Sequence, residues 1–300
     1  MKILLTGANG FLGRYVNDYF VNKGINVIKI GKSIQNDIIC DLSIDIPNIE
    51  NNAFNLVVHL AGKAHSNPIN QFQAKEFHDV NVGGTRNLLM SIENLAIKPK
   101  SFVFISTVAV YGLNKGLDID ETMPLNAKDA YGCSKILAEN MIEKWCEKNK
   151  VICTILRLPL IIGVNPLGNL KSMIDGVKRG YYVNIDGGKA RRSMVLARDV
   201  AQYIHIIYSI GGIYNITDGY HPSFFDLSKH IAVKTHSKKP KNISRKIAFV
   251  LAKVGDLFGA KFPFNTSKFL KITSDLTFDD SKARVAGWKS TSVLEDFNIL

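Results

Sequence analysis

Over the first half of the chain, short runs of apolar and β-branched residues alternate with longer stretches that are apolar on one helical face. Runs at 2–5, 26–30, 56–60, 102–106 and 152–156 predict strands, because four or five nearly continuous apolar positions suit a strand covered on both sides. The segments 13–23, 81–94 and 131–148 between them have helical spacing. Strands alternating with helices predict an α/β fold, a doubly wound parallel sheet of the Rossmann kind. After Arg157 the regularity breaks: PLIIGVNPLGN, with Pro159, Pro166 and Gly168, reads as a loop. Short helices, basic loops and a last strand near 274–278 follow. The expected division is a unit over 1–157 and a smaller C-terminal lobe over 158–300, with a strand near 212–216 returning to the main sheet. The lobe is expected over the sheet's carboxyl edge, where such folds bind ligands.

The first strand runs directly into GANGFLG, which places Gly7, Gly10 and Gly13 ahead of a helix. Such spacing gives a tight turn, a close backbone approach and close helix–strand packing, the arrangement that cradles a dinucleotide pyrophosphate. Asn9, Phe11, Leu12 and Arg14 belong to the same cradle. A carboxylate is then expected about 20 residues on, for the adenosine ribose. Instead VIKIGKS gives Gly31, Lys32 and Ser33, and the next acid is Asp37. Losing the acid and gaining a cation favours NADP over NAD, with Lys32, Ser33 and Arg14 around a 2′-phosphate. Asp41 and Leu42 are candidates for the adenine end, an ordinary turn being the alternative.

Three tyrosines precede a lysine by four positions: Tyr19–Lys23, Tyr111–Lys115 and Tyr131–Lys135. Tyr19 and Lys23 fall at the far end of the first helix, and Tyr111 and Lys115 fall in a loop. Tyr131 and Lys135 open a helix, where residues i and i+4 share one face. Upstream, the buried strand SFVFIST ends in Ser106 and Thr107.

Taken together, TGANGFLG, HLAG at 59–62, N-x-x-G-T at 81–85, STVAVYG at 106–112, YGCSK and RRSMVLARDV at 191–200 resemble the extended short-chain dehydrogenase/reductases. Within them the chain is similar to the NAD(P)-dependent epimerase/dehydratase family of nucleotide-sugar enzymes. The resemblance implies a catalytic Thr107, Tyr131 and Lys135, with Tyr131 exchanging a proton with a sugar hydroxyl and Thr107 orienting that oxygen. Lys135 and an oxidised nicotinamide would acidify the phenol, whose free pKa is about 10. Leu60, Ala61, Gly62 and Pro159 join the cofactor contacts, and Asn169 and Arg192 the substrate contacts, Arg192 at the family's diphosphate-binding position. A guanidinium fork suits phosphate, whereas Arg191 beside it reads equally as solvated. Asn169 reads equally as a helix cap. The family often contacts the nucleotide through Asn where Pro159 stands. Dehydratases carry an Asp–Glu pair after the catalytic Thr; here those positions are Val108 and Ala109, which cannot move a proton. The expectation is therefore a UDP-sugar 4-ketoreductase for surface polysaccharide, with an NAD-dependent 4-epimerase as the alternative. A non-catalytic NADP-binding sensor is the rival from another class. His59 reads as a packed strand residue, and His65 as ambiguous. The helical segments 81–94 and 131–148 suit a homodimer.

Composition adds two points. Cys40, Cys133, Cys146 and Cys153 form no metal-ligand spacing and read as reduced, mostly buried thiols of a cytoplasmic protein; no secretory signal is recognisable. The net charge is +12, with the excess concentrated between Lys229 and Lys271. Without interleaved aromatics this does not read as a nucleic-acid binder. It reads as a solvated face around an anionic substrate. Within that region Ile247, Val250, Leu251, Val254, Leu257 and Phe258 form an apolar stripe at helical spacing, expected to pack into the lobe. Docking on an anionic membrane is the lesser reading.

Overall fold

The computed structural model describes residues 1–49, 53–64, 68, 70–166, 168–258 and 264–296. Its main sheet is formed by β1 (Lys2–Thr6), β2 (Asn26–Gly31), β3 (Ile38–Ile39), β4 (Leu56–His59), β5 (Ser101–Thr107), β7 (Ile152–Leu158) and β11 (Gly212–Asn215). Every pairing in it is parallel, in the order β11-β7-β5-β4-β1-β2-β3. Three two-stranded parallel pairs complete the strands. They join β6 (Gly116–Ile119) to β13 (Leu276–Phe278), β8 (Leu160–Ile162) to β10 (Met194–Leu196), and β9 (Val183–Ile185) to β12 (Lys241–Ile243).

Helices α1 (Phe11–Asn22), α2 (Gln71–Phe77), α3 (Gly84–Glu93), α4 (Ala130–Asn149) and α5 (Gly168–Lys178) come from the first part of the chain. They are followed by α6 (Ala197–Ile207), α7 (Phe224–Lys234), α8 (Arg245–Leu257), α9 (Thr266–Thr273) and α10 (Ser281–Val285). Alternation along each central strand divides the core between the two faces of the sheet. Ile3 and Leu5 of β1 pack with Val16 and Phe20 of α1 and with Val200 and Ile204 of α6. Leu4, one position between them, joins Leu88 and Ile92 of α3 and Ala138 and Ile142 of α4. Each such side chain contributes roughly 1.5–3 kcal/mol by leaving water. This is the doubly wound Rossmann-like sheet read from the sequence.

Three local expectations are corrected. The stretch read as a loop after β7 contains β8, because Pro159 ends β7 and the chain then pairs with β10 in a separate sheet. The helix expected over 81–94 begins earlier, as α2, and reaches α3 through a π-helical turn at His78–Gly83. The stripe on α8 does not pack into the lobe. Ala248, Ala252 and Gly255 face inward instead, while Ile247, Val250, Leu251, Val254 and Leu257 are 43–85% exposed. Of the cysteines only Cys146 is buried; the other three are half-buried. The helices α3 and α4, read as a dimer face, expose Met90 and Leu137. Among the described residues no helix is long and apolar enough to cross a membrane.

Candidate active site

Because the sheet is parallel, the carboxyl ends of its strands lie along one edge. Gly31 at the end of β2 with Lys32 after it, the glycine loop after β1, Leu60–Gly62 after β4, Thr107 of β5 and Pro159 after β7 therefore follow one another in space. The loop has no room for side chains. Gly7 sits at φ +73°, and a Cβ on it would meet the Ala61 nitrogen at 2.7 Å. A Cβ on Gly13 would lie 1.9 Å from the Gly7 carbonyl oxygen. Gly10 donates to that oxygen at 2.9 Å and sets the start of α1. Among the described residues no side chain caps this helix and no acid occupies its first turn. Its free N–H groups and positive end suit a phosphate. The cradle thus fits a dinucleotide pyrophosphate. Arg14 Nε donates to the Asn9 carbonyl at 3.2 Å, closing the loop.

Helix α4 is stitched to β5 by Lys135 and Glu139, four residues apart. One turn earlier on the same face Tyr131 stands near Thr107, whose Oγ1 accepts from Ala109 N at 3.2 Å. Lys135 Nζ donates to the Ile105 carbonyl at 2.6 Å. Glu139 accepts from Ser106 Oγ. Asp129 caps the helix by accepting from Gly132 N at 3.0 Å, which fixes where Tyr131 stands. Behind the seam, Glu139 is fully buried and receives Arg157 of β7 at 2.8 and 3.3 Å. Arg157 in turn reaches Tyr111 Oη at 3.1 Å, and Tyr111 donates to Asn215 of β11 at 2.7 Å.

Burial dominates both ionisable groups at the front of the seam. It pushes the Tyr131 phenol up, with the nearby Thr107 hydroxyl opposing and Asp129 adding to the rise. It pulls the Lys135 ammonium down from 10.5 to about 7, with Glu139 opposing. In this arrangement burial governs both groups, and Lys135 is not among the influences on the phenol. The pair is a buried phenol holding its proton and an amine whose proton is labile near neutrality.

The wall on the β4 side is equally fixed. Asn81, buried in the π-helical turn, accepts from Lys63 N at 2.6 Å and donates to Lys63 O at 3.1 Å and to Ser134 Oγ at 2.8 Å. A Cβ on Gly62 would sit 3.0 Å from Asn81 Oδ1 and 3.9 Å from Lys135 Nζ. His59 is packed, as read from the sequence. It lies between Thr6 Oγ1 at 2.7 Å and Thr85 Oγ1 at 3.0 Å, stacked on Phe104. Thr85 spends its hydroxyl proton on the Asn81 carbonyl, so it accepts from His59 Nε2–H, and Nδ1 accepts from Thr6. Burial, with Lys135 nearby, holds this imidazole neutral by moving its pKa to about 3. His65 lies outside the described residues.

At the adenosine end, Lys32 pairs with Asp41 at 2.7 Å and Ser33 Oγ donates to Gln35. Burial raises the Asp41 carboxyl, but hydrogen bonds from Lys32 and Ser43 outweigh it and hold the pKa below the usual range. Asp41 also accepts from Ser43 N at 3.0 Å, which makes it a turn residue. The Leu42 carbonyl accepts from Asn87 at 2.8 Å.

On the lobe side, Arg192 donates through Nη2 to the Lys271 carbonyl, while Nη1 is buried and finds no partner among the described residues. Burial draws its pKa down to about 10, with Asp275 opposing. A buried N–H without an acceptor is costly, and an anionic oxygen would satisfy it. Arg192 bridges Leu276 of β13, β13 pairs with β6, and Phe278 stacks on Tyr111 at 5.7 Å. The arginine is thereby tied to the turn that follows Thr107. Arg191 is exposed yet donates to the carbonyls of His221 at 3.0 Å and Tyr220 at 2.6 Å. Pro159 is half-buried between β7 and β8. Asn169 is exposed within the first turn of α5 and so does not precede that helix as its cap.

The other two tyrosine–lysine pairs are structural. Lys23 lies over the Tyr19 ring at 5.8 Å, and Tyr111 serves the buried network. Sequence reading missed Asn81, Ser106, Glu139 and Arg157 as organisers of the site. A buried charge in each of two apolar elements, Glu139 in KILAENMI and Arg157 in ICTILRL, was the available signal.

Known proteins resemble the chain in sequence and in fold. The chain is 26% identical to an N-acetyl-α-D-glucosaminyl-diphospho-ditrans,octacis-undecaprenol 4-epimerase of Escherichia coli O157:H7, over 71% of this chain and 66% of that protein. It is 29% identical to a dTDP-D-glucose 4,6-dehydratase of Dictyostelium discoideum, over 77% and 61%. It thus spans just under two thirds of the length of the first and 61% of the second. The crystal structure of a UDP-glucose 4-epimerase with UDP-glucose from Thermotoga maritima superposes with a TM-score of 0.76 at 21% identity, covering 99% of this chain and 96% of that one. The model of the NAD dependent epimerase/dehydratase family matches residues 3–217, and the chain belongs to that family of enzymes.

Proposed function

We propose that this protein is a 4-epimerase acting on a sugar carried by a diphosphate, a UDP-linked sugar being the first substrate to test. The observation that carries this reading is the seam in which Thr107 and Tyr131 meet beside the glycine loop, with Lys135 one helical turn behind. Tyr131, its own phenol proton first passed to the Lys135 amine, takes the proton of the C4 hydroxyl as the C4–H bond gives up its hydride, and returns that proton when the hydride comes back on the other face of C4. Thr107 orients that oxygen, and Lys135 supplies a proton reservoir near neutral pH. A dinucleotide held by Gly7, Gly10 and Gly13 supplies the hydride acceptor and donor. Arg192, with its unpartnered Nη1, binds the diphosphate. Val108 and Ala109 offer no group for eliminating water, which argues against a dehydratase. The curated 4-epimerase relative supports the reading, and so does the adenosine end. Lys32 and Ser33 are engaged by Asp41 and Gln35, so neither is held ready for a 2′-phosphate, and NAD is the cofactor proposed.

The second reading, an NADPH-consuming 4-ketoreductase, keeps one observation in its favour: Gly31 stands where a ribose-binding acid is expected. One assay separates them. Incubation with UDP-glucose or UDP-N-acetylglucosamine plus NAD is followed by proton NMR of the C4 configuration and by nicotinamide absorbance. The expected result is the 4-epimer with no net change in the dinucleotide, and a 10²–10⁴-fold slower rate for Tyr131→Phe. Net oxidation of NADPH by a 4-keto sugar, with no epimer formed, would sink the epimerase.

A further inference from the structure

The surface of α8 has a composition that neither the fold nor the reaction uses. Ile247, Val250, Leu251, Val254 and Leu257 recur along one side of the helix and are 57%, 61%, 50%, 43% and 85% exposed. The helix is held to the lobe by its narrow side, Ala248 and Ala252, which pack with Ile185 of β9 and Phe269 of α9. Leu270 of α9 is also exposed. Around this row cations outnumber acids, although Arg245 lies 3.9 Å from Asp186. From Lys229 to Lys271 the chain carries eleven Lys and Arg and a single acid, Asp256. That acid accepts from Thr266 N at 3.0 Å and Oγ1 at 2.5 Å and offsets one of the cations, Lys253. Lys246 and Lys253 flank the row and are exposed.

We propose that α8 and the exposed side of α9 dock in the plane of an anionic lipid bilayer, the apolar row entering the acyl boundary and the lysines meeting the headgroups. An amphipathic helix with cations flanking a hydrocarbon face has the form such a surface binds. Its 13 residues are too few to cross the bilayer and enough to lie on it. Charge selects this occupant over the others. A second copy docking through a two-fold axis would set the same cations against each other. Nucleic acid would match the cations but leave the hydrocarbon row unused. The docking side is joined to the lobe's anion site, since the Lys271 carbonyl of α9 holds Arg192 Nη2. The proposal rests on the surface alone and stands whichever sugar reaction the cleft performs.

The test is flotation of the full chain with phosphatidylglycerol–phosphatidylcholine vesicles, against pure phosphatidylcholine vesicles. Wild-type protein should float with the anionic vesicles and bind about tenfold more weakly to neutral ones or at high salt. The double variant Val250→Asp, Val254→Asp, altered only at exposed positions, should lose at least about tenfold in vesicle binding. Its turnover of a soluble nucleotide sugar should be unchanged, so a failure of the proposed reaction registers separately. No flotation of folded wild-type protein with anionic vesicles would overturn the proposal, as would undiminished binding of the double variant. A wild-type oligomer that the double variant dissociates, seen by sedimentation, would overturn it in favour of a chain–chain interface.

Discussion

Helices α4 and α8 invert one another. Helix α4 turns Ser134, Lys135 and Glu139 into the protein, where each finds a partner; α8 turns six large apolar side chains outward, Phe249 among them, and packs through alanine and glycine. Both break the rule that polar positions face water and apolar ones face the core. Such breaks concentrate where a protein does something besides fold. In α4 the cost of burying charge is offset inside the molecule, by Arg157, Ser106 and the Ile105 carbonyl. In α8 the offset is missing from the chain and has to be supplied from outside it.

The sharpest way to probe the contrast is to remove the internal partner. Glu139→Ala leaves the Arg157 guanidinium buried and unpaired, and should cost about 3–5 kcal/mol in urea unfolding. A loss under about 1 kcal/mol would mean that Arg157 reaches water and that α4 is less closed than described.

A smaller effect comes from Lys135. Its folded pKa, about 7, lies below the ordinary 10.5. Below pH 7 both states carry the proton and the full cost of burial is present. As pH rises from 7 toward 10.5, the unfolded chain keeps a proton that the native state has released, so the native state gains stability. Relative to Lys135→Met, wild-type protein should gain on the order of 2 kcal/mol between pH 7 and 9. Parallel unfolding curves for the two proteins across that range would remove the argument for a neutral amine.

The smallest effect belongs to α8. Val250→Ser should change stability by less than about 0.5 kcal/mol, because the side chain leaves no packing behind. A loss of 2 kcal/mol or more in a dilute, lipid-free sample would place Val250 in a core.

What the sequence disclosed and what it hid follow the same divide. The glycine loop, the Thr107 strand end and the Tyr131–Lys135 spacing are local signals, each set by neighbours within a few residues, and the sheet follows from strand–helix alternation. Glu139, Ser106 and Arg157 meet only after α4, β5 and β7 pack, so no window of sequence contains their relation. The burial that raises the Tyr131 phenol was hidden for the same reason: it is a property of the assembled fold. The α8 stripe was visible as a period but not as a side. Ala248, Ala252 and Gly255 repeat on the same helix, and a period alone does not tell which of two rows packs. That Asp41 turns back to Lys32, nine residues earlier, was likewise invisible in the sequence.

Asn81 grips the chain on both sides of Lys63, taking its N–H and giving to its C=O. The two peptide groups on either side of Lys63 are thus orientated before any ligand arrives. A molecule entering the cleft meets a wall already frozen in its working shape, so little of its binding free energy is consumed in ordering that loop.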